Sequence, residues 1–514
     1  MNKYKNKTLF LIFHGHFYQP PREDPWTGEV EVQPSAAPLH DWNERIYQEC
    51  YKPNTRAVIT DKNDKILKFV NNFEYLSFNI GPTLLSWIKK KHPHRLRMMI
   101  DADKKSVEKH NGHGNAIAQI YNHVIMPLAN ENDKITQIKW GIEDFKFHFD
   151  RDPEGMWLPE TACNEATLEA LIQEGVKFTI LDPSQAEKIR KLPGGSWTDV
   201  TGGGLDTTRP YRFFSKIHSG ASLTVFFYDG LLSKNIAFDD YITNAERMME
   251  RIEIINLDNS HMDELISAAV DGETFGHHKP FTERTIAYLL SELAPKHKYK
   301  VTNFGEFLSN HTPLCEVEIK KGRNGEGTSW SCAHGVGRWQ EDCGCGQGEP
   351  GWNQKWRRPL RDSLNWLRDE MIKITEIEGG KYLKNVWDAR NDYIHVVLDP
   401  SRESYEKFFY FNAKQFLTED ESELCIKIME MQRNAMYMFT SCGWFFSDVS
   451  GLETLIILRF AARAIELARE VSGIDFEEEF LARLSEARSN LPQYRDGRYI
   501  YESKIKLRNK YMSA

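Results

Sequence analysis

The segment GMWLPE, residues 155–160, sets the strongest limits on the fold of this chain. Trp157 and Leu158 have strand character, and Pro159 lacks the backbone N–H that a sheet ladder needs, so strand pairing is predicted to stop there. Glu160 follows at the point where the strand ends. The segment therefore predicts a buried strand with a carboxylate at its C-terminal end, facing a cleft.

A helix and a second strand are predicted directly after this carboxylate. Asn164 is a suitable N-cap, apolar residues at 168, 171 and 172 give one helical face, and Gly175 suits a left-handed stop. Residues 176–181 then form a β-rich run. A strand, a helix and a strand make a β/α unit, in which chemistry is found at the C-terminal ends of strands. Taken alone, Glu160 can also be a surface loop residue.

Length and composition are those of a large globular protein. The 514 residues suggest two or three domains, and the hydrophobic share of 40% and charged share of 27% are ordinary. The net charge of -8 disfavours nucleic acid or an anionic membrane as the main partner. The 13 Trp and 20 Tyr are compatible with stacking on sugar rings, although core packing explains most such residues.

The N-terminal region predicts a cytoplasmic protein without a membrane segment. The apolar run 9–13 follows three lysines but is shorter than the roughly 7 to 15 residues of a signal-peptide core and the about 20 of a membrane span. We interpret it as the first core strand. The 8 Cys are too sparse for a small disulfide scaffold, which agrees with a reducing compartment.

Polar side chains follow this first strand at once, in the sequence HGHFYQP at 14–20. Alternation along a strand places His14 and His16 on the same side, so both can face one pocket. With Gln19 they can hydrogen-bond sugar hydroxyls or bind a metal. The alternative is two histidines satisfied at the start of a loop.

Two later strands are also predicted to end in carboxylates. Residues 223–227 lead to Asp229, which is expected either to contact substrate or to cap a helix. Residues 268–270 lead into Asp271, followed by His277 and His278. Asp271 lies 111 positions after Glu160 (271 minus 160), so the two can face each other from different strands. Glycoside hydrolysis requires such a pair, and its acid member needs a raised pKa.

The motifs HGHFYQP, GMWLPE and VDGETFGHH together resemble glycoside hydrolase family 57 over residues 8–300. The resemblance implies an α/β fold, an incomplete (β/α)7 TIM-like barrel with helical additions, that acts on α-glucans with retention and needs no cofactor. It implies that Glu160 is the nucleophile and Asp271 the general acid/base. His14, His16, Gln19 and His277 match substrate-binding or supporting positions. The first motif departs from the family in carrying FY where members commonly run from His directly to Gln-Pro.

The second half of the chain predicts a different kind of domain. Its boundary is expected between 310 and 327, which assigns residues 1–312 to the barrel and 313–514 to a mostly helical domain that contributes loops to the cleft. Apolar residues at 360, 364, 367, 371 and 374 recur at helical spacing, and the run 451–471 is apolar enough to be largely buried. The motifs SWSCAHGVGRW and TSCGWFF resemble a C-terminal domain found with a bacterial subgroup of these hydrolases.

One of these motifs brings cysteines and a histidine close together in sequence. Cys332, His334, Cys343 and Cys345 invite a zinc interpretation, but C-x-H with C-x-C is not the C-x2-C spacing of most structural zinc sites, so no metal is assigned. A Gly-rich loop that presents His334 and Trp339 to sugar is favoured instead. Trp444 is a similar candidate, although a tryptophan is more often a core residue than a sugar-binding platform.

The predicted partner is an oligo- or polysaccharide, an α-glucan, and the predicted reaction is double displacement with Glu160 and Asp271 as the catalytic residues. The predicted substrate contacts are His14, His16, Gln19, Trp157, Asp229, His277, His278, His334, Trp339 and Trp444. Transfer to a sugar, as in a 4-α-glucanotransferase or branching enzyme, is an alternative on the same scaffold. A metal-dependent amidohydrolase-like enzyme and a non-catalytic glucan-binding protein also stay open. No motif encodes linkage, chain length, donor sugar or oligomeric state.

Overall fold

Strand β1 (Leu9–Phe17) is the centre of the sheet that carries the site, in a computed structural model that describes residues 7–255, 262–346 and 348–506. The protein is an α/β structure with a large helical content. The other strands are β2 (Ala57–Thr60), β3 (Ile66–Val70), β4 (Ser77–Ile80), β5 (Ala118–Gln119), β6 (Met156–Trp157), β7 (Phe178–Leu181), β8 (Ala186–Lys191), β9 (Thr198–Asp199), β10 (Tyr211–Phe214), β11 (Ser222–Phe227), β12 (Glu264–Asp271), β13 (Tyr299–Val301) and β14 (Cys315–Ile319).

The α-helices surround these strands and continue beyond them. They are α1 (Trp42–Ile46), α2 (Lys52–Asn54), α3 (Pro82–Lys91), α4 (Pro93–Lys109), α5 (Glu131–Phe149), α6 (Glu165–Gln173), α7 (Gly230–Ala237), α8 (Ala245–Ile255), α9 (Thr282–Tyr288), α10 (Ala294–Lys296), α11 (Phe304–Asn310), α12 (Arg357–Ile374), α13 (Val386–Asp392), α14 (Ile394–Leu398), α15 (Arg402–Asn412), α16 (Glu419–Tyr437), α17 (Cys442–Phe445), α18 (Leu452–Ser472), α19 (Glu477–Leu484) and α20 (Gly497–Tyr501). Throughout the described ranges, none of them has the length and apolar character that a bilayer crossing needs.

Strand β1 has two buried faces that belong to different apolar clusters. Phe10 and Ile12 pack in one cluster, while Leu11 and Phe13 pack in a larger one. This alternation follows from the two-residue period of a strand. The predicted first strand is confirmed, and it is longer than expected, so that the histidines at 14 and 16 lie inside it and continue the Phe10 and Ile12 face.

Parallel pairing extends from β1 in both directions. On one side β1 pairs with β12 over its whole length, and on the other it pairs with β13 and β4. Parallel bridges link Phe78 of β4 to Ala116 and Gly155 to Phe178 of β7, and β5 pairs with β6. β7 then pairs in parallel with β11. The C-terminal ends of these strands therefore point the same way, as a β/α site requires.

The β/α unit predicted around Glu160 is confirmed. Pairing in β6 stops at Trp157, and a 3₁₀ turn, Pro159–Thr161, follows. The side chain of Asn164 accepts a hydrogen bond from the backbone N–H of Thr167 and so caps α6, and Gly175 has a φ of 76°. The next strand is β7.

Two stretches in the first half differ from what their sequence predicts, which is a helix over residues 112–124, from the apolar residues at 117, 120, 121 and 124, and a long irregular loop over residues 40–54. Residues 112–124 do not form a helix, because the N–H groups of Ile117 and Ala118 donate to the neighbouring backbone at Phe78 and Gly155 instead. This stretch contains β5. The region 40–54, expected to be irregular, is mostly helical and contains α1 and α2.

From Arg357 onward the described elements are helices. The apolar stripe predicted on α12 is buried at all five positions, and the apolar run 451–471 coincides with α18. Strand β14 lies after residue 312 but pairs with β8 and β10, both of which belong to the first half of the chain.

Candidate active site

Glu160 is held in position by its own backbone and by a loop 170 residues further along the chain. Its φ of 57° is in the left-handed region, which costs a non-glycine residue about 1–3 kcal/mol and is typical of functional sites. One carboxylate oxygen, Oε2, accepts hydrogen bonds from the indole Nε1 of Trp330 (2.9 Å) and the hydroxyl of Ser331 (2.6 Å). The backbone N–H of Trp330 also donates to the Glu160 carbonyl at 3.0 Å.

Opposing influences act on the ionisation of Glu160. Burial raises the pKa of its carboxyl above the usual value. The hydrogen bonds from Ser331 and Trp330, and the nearby charge of Arg338, act in the opposite direction. These donors favour the carboxylate form, which is the form that a nucleophile needs.

Asp271 is the last residue of β12 and lies opposite His16 of β1 in the parallel register. Its side chain is accessible to solvent, yet the surrounding protein raises its pKa well above the usual value. The largest cause is that surrounding protein atoms replace water around the carboxyl group, followed by repulsion from Glu160 and then from Glu273. Glu160 and Asp271 are therefore close enough to interact electrostatically.

Glu273 is a third acidic group at the site, and it is buried. Its Oε1 accepts hydrogen bonds from the backbone N–H of Tyr18 (3.1 Å) and the hydroxyl of Tyr51 (2.9 Å). Burial raises its pKa to about 7, although these bonds and one from Gln19 lower it. Glu273 thus fixes the segment that carries Tyr18 and Gln19.

His14 and His16 both face Trp157, as the strand alternation predicts. Their rings stack on the indole with centroid distances of 4.9 and 5.1 Å. Asn79 of β4 bonds both, through its Oδ1 to His14 (3.1 Å) and its Nδ2 to His16 (2.9 Å). Burial lowers the pKa of each histidine to about 3, so both are neutral near pH 7.

His123 completes this layer and was not predicted. Its Nε2 lies 3.0 Å from Nε2 of His16, its Nδ1 lies 2.6 Å from the hydroxyl of Ser441, and its ring stacks on Tyr18 at 3.6 Å. Its φ of 55° is in the left-handed region. The wrongly predicted helix over residues 112–124 concealed this position.

Three predicted substrate contacts have other partners in the structure. Asp229 caps α7 by accepting the N–H of Leu232 at 2.6 Å, which is the structural alternative weighed for it. The imidazole of His277 bonds the carboxylate of Glu49, and the ring of His278 lies 5.2 Å from that of His277.

The substrate contacts predicted for Trp157, Trp339 and Trp444 do not fit the structure. All three side chains are 0% exposed, so none of these indole faces is available to a sugar ring. The guanidinium of Arg361 lies 3.9 Å above the ring of Trp444. Cys442, two residues before Trp444, lies close to Tyr18. Burial raises the pKa of Tyr18, and Cys442 and Glu160 add to this effect.

His334 faces cysteines. Its Nδ1 lies 3.4 Å from the Sγ of Cys345. We use the name thiol cluster for Cys332, His334, Cys343 and Cys345, whose four ligand atoms all lie within 4.8 Å of one another. In the described ranges this is the group whose donors could hold a metal ion.

Sequence reasoning missed the residues that hold Glu160. Trp330 and Ser331 lie in the motif SWSCAHGVGRW, whose composition drew attention, but nothing in that motif reveals a partner 170 residues away. Glu273 lies in the motif that contains Asp271, and its proximity to a strand end was a usable signal.

The family model for glycosyl hydrolase family 57 matches residues 10–320. This range is more than half of the chain and contains both strand-end carboxylates. The chain belongs to glycosyl hydrolase family 57. A second family model, Domain of unknown function (DUF3536), matches residues 352–512 of this family 57 protein.

Known proteins resemble this family 57 chain at low sequence identity. Alpha-amylase 1 of Dictyoglomus thermophilum is 26% identical over 140 residues, which are 27% of this chain and only 18% of that protein. An exo-type maltose-forming amylase from Pyrococcus sp. ST04 has a TM-score of 0.68 at 14% identity, over 93% of this chain and 82% of its own. A family 57 branching enzyme from Pyrococcus horikoshii has a TM-score of 0.54 at 14% identity, over 93% and 94%. The two structural likenesses are likenesses of fold.

Proposed function

We propose that this protein is a retaining glycoside hydrolase that cleaves α-glucosidic bonds of α-glucans or malto-oligosaccharides. The observation that carries the proposal is the electrostatic interaction between Glu160 and Asp271, two carboxyl groups at the ends of parallel strands. Membership of glycosyl hydrolase family 57 supports the substrate class. The amylase activity in the names of two similar proteins supports it further.

In the first step Glu160 attacks the anomeric carbon. Its Oε2 accepts both loop hydrogen bonds, and no described residue donates to Oε1, so Oε1 is the oxygen we assign to the attack. Asp271, whose raised pKa favours the protonated form, gives its proton to the departing glycosidic oxygen. A covalent glycosyl-enzyme results.

In the second step the ionised Asp271 takes a proton from the incoming acceptor, whose oxygen displaces Glu160 from the anomeric carbon. Glu160 leaves as a carboxylate, which the hydrogen bonds from Trp330 and Ser331 stabilise. Two inversions give net retention, and both groups return to their starting protonation states.

We further propose that β12, β1, β4, β5, β6, β7 and β11 form an incomplete (β/α)7 barrel, with residues 313–514 as a mainly helical second domain. The run of parallel pairings and bridges supports the barrel. The backbone N–H of Asp229, next to β11, donates to Ser267 of β12 at 2.8 Å, which supports closure on that side.

Transfer to a sugar hydroxyl is the second candidate, because a branching enzyme shares the fold. Incubation with maltoheptaose separates the two activities. Shorter products alone are expected from hydrolysis, whereas products longer than maltoheptaose would establish transfer. An NMR time course of the anomeric protons tests retention, and initial release of the inverted anomer would contradict the proposed mechanism.

Glu160→Gln tests the nucleophile. We expect kcat to fall by about 10³-fold or more, since the charged attacking group is lost while the shape is kept. Glu165→Gln, on the first turn of α6, is the matched control and should retain activity. If Glu160→Gln left cleavage unchanged while glucan still bound, a non-catalytic binding protein would be the better description.

A metal-dependent amidohydrolase site at His14 and His16 is disfavoured by the ring contacts. Both nitrogens of each imidazole have a hydrogen-bond partner: Ser77 and Asn79 for His14, and Asn79 and His123 for His16. Neither histidine has a free nitrogen for a metal ion in this arrangement.

A further inference from the structure

We propose that Cys332, His334, Cys343 and Cys345 bind one zinc ion, and that this ion anchors the loop that holds Glu160. The catalytic consequence rests on the proposed glycosidase function, whereas metal binding does not depend on it. Spacing in the sequence disfavoured a metal here, but the folded loop brings the pair Cys332 and His334 together with the pair Cys343 and Cys345.

Three distances within the thiol cluster are close to those of a tetrahedral site. Cys332 Sγ lies 3.9 Å from the Sγ of both Cys343 and Cys345, and Cys345 Sγ lies 3.4 Å from Nδ1 of His334. Zinc bonds of about 2.3 Å to sulfur and about 2.0 Å to nitrogen place tetrahedral donors roughly 3.5 to 3.8 Å apart. A disulfide needs about 2.05 Å between sulfurs, so the geometry matches three thiolates around a common centre.

The surroundings of the cluster suit an anionic centre. Zinc with three thiolates and a neutral imidazole carries one net negative charge. The fully buried guanidinium of Arg357 donates to the Sγ of Cys343 at 3.6 Å and to the carbonyl of Cys345 at 3.0 Å. In the described part of the chain, Arg357 forms no ion pair with a carboxylate, so the zinc centre would supply the counter-charge that a buried cation needs. The N–H of Cys345 also donates to Cys343 Sγ at 3.4 Å, as outer-shell donors to thiolates do.

The loop connects this centre directly to the nucleophile. Cys332 follows Ser331, whose hydroxyl donates to Glu160, and Arg338 lies between the two pairs of donors and lowers the pKa of Glu160. A metal ion would fix the loop that carries these groups, because coordination by four ligands restricts the loop to one conformation. The zinc has a structural role here, because its four ligands leave no open position for substrate.

The decisive measurement is the metal content of the full-length wild-type protein, expressed with added zinc and purified with reductant. Inductively coupled plasma mass spectrometry should give about one zinc per chain, as for other four-ligand sites. Replacing zinc with Co²⁺ should give the thiolate-to-cobalt absorption of a tetrahedral site. Absence of zinc and of the cobalt spectrum from folded protein would overturn the proposal, as would a mass lower by two hydrogens, which indicates a disulfide.

Variants identify the ligands and the consequence. Cys343→Ser and Cys345→Ser should lose zinc, whereas Cys315→Ser, a partly buried thiol outside the cluster, should keep it. Circular dichroism excludes unfolding, and if a serine variant does not fold, Cys345→His restores a ligand and should restore both folding and zinc. Loss of zinc should lower kcat with little change in KM. Zinc is measured without substrate, so failure of metal binding and failure of the glycosidase proposal are seen separately.

Discussion

At the scale of single residues, the proposed mechanism requires two neighbouring carboxyl groups, one ionised and one protonated. Burial disfavours the charge on both Glu160 and Asp271, and repulsion from Glu160 falls on Asp271. Among the described residues, Ser331 and Trp330 donate hydrogen bonds to the Glu160 carboxylate, whereas none donates to that of Asp271. This asymmetry of hydrogen bonding supports the proposed roles of Glu160 as the nucleophile and Asp271 as the acid.

Glu273 gives a pH-dependent test of this assignment. Its charge raises the pKa of Asp271, and Asp271 must be protonated to act as the acid, so activity is lost as pH rises through the Asp271 pKa. Glu273→Gln removes that charge and should move the alkaline limb of the kcat/KM profile to lower pH. Glu253→Gln on the exposed face of α8 should leave the limb in place, and an unmoved limb in both would contradict the assignment.

At the scale of elements, both the loop at residues 328–331 and the strand before Glu160 hold the Glu160 carboxylate in position. Ser331→Ala should lower kcat by about 10- to 100-fold, because a hydrogen bond to a charged group is worth about 1.5–3 kcal/mol. The bond lowers the pKa of Glu160, so its loss should also move the acid limb to higher pH. Ser485→Ala, on an exposed turn after α19, is the control. An unchanged kcat would show that the hydroxyl does not act on the nucleophile.

An element could be predicted from the sequence when its hydrogen bonds join residues close together in the chain, and could not when they join residues far apart. The unit around Glu160 was predictable because its signals are local: a proline that ends a strand, an asparagine cap, and a glycine at positive φ. Residues 112–124 were not, because their N–H groups bond to strands far away in sequence. The same reason hid Ser331 and His123, whose partners lie 171 and 318 residues away in sequence.

At the scale of the whole molecule, buried polar contacts join the N-terminal and C-terminal halves. Arg390 of α13 pairs with Asp133 of α5 at 2.8 Å, and its side chain also donates to Thr136. The side chain of Arg390 is 1% exposed and that of Asp133 is 10% exposed. Such a pair costs much to break, since the remaining partner is left charged and buried.

Arg390→Met should therefore lower the free energy of unfolding by about 3–5 kcal/mol, measured by denaturant or thermal unfolding. Arg402→Met is the matched control, because Arg402 forms an exposed pair with Glu406 within one helix and should change stability by about 0.5 kcal/mol or less. Equal losses in the two variants would show that the α5–α13 contact does not set the stability of the protein.

The contact of His123 with Ser441 has a consequence for building hybrids of this protein. His123 also contacts His16 of β1, and the ring of His16 stacks on Trp157. Ser441, which directly precedes α17, therefore supports these stacked side chains through His123. A chimera that kept residues 1–330 and took its remaining sequence from a relative without a hydroxyl at position 441 would leave this imidazole unsatisfied. The two halves must be exchanged together, or matched at that single position.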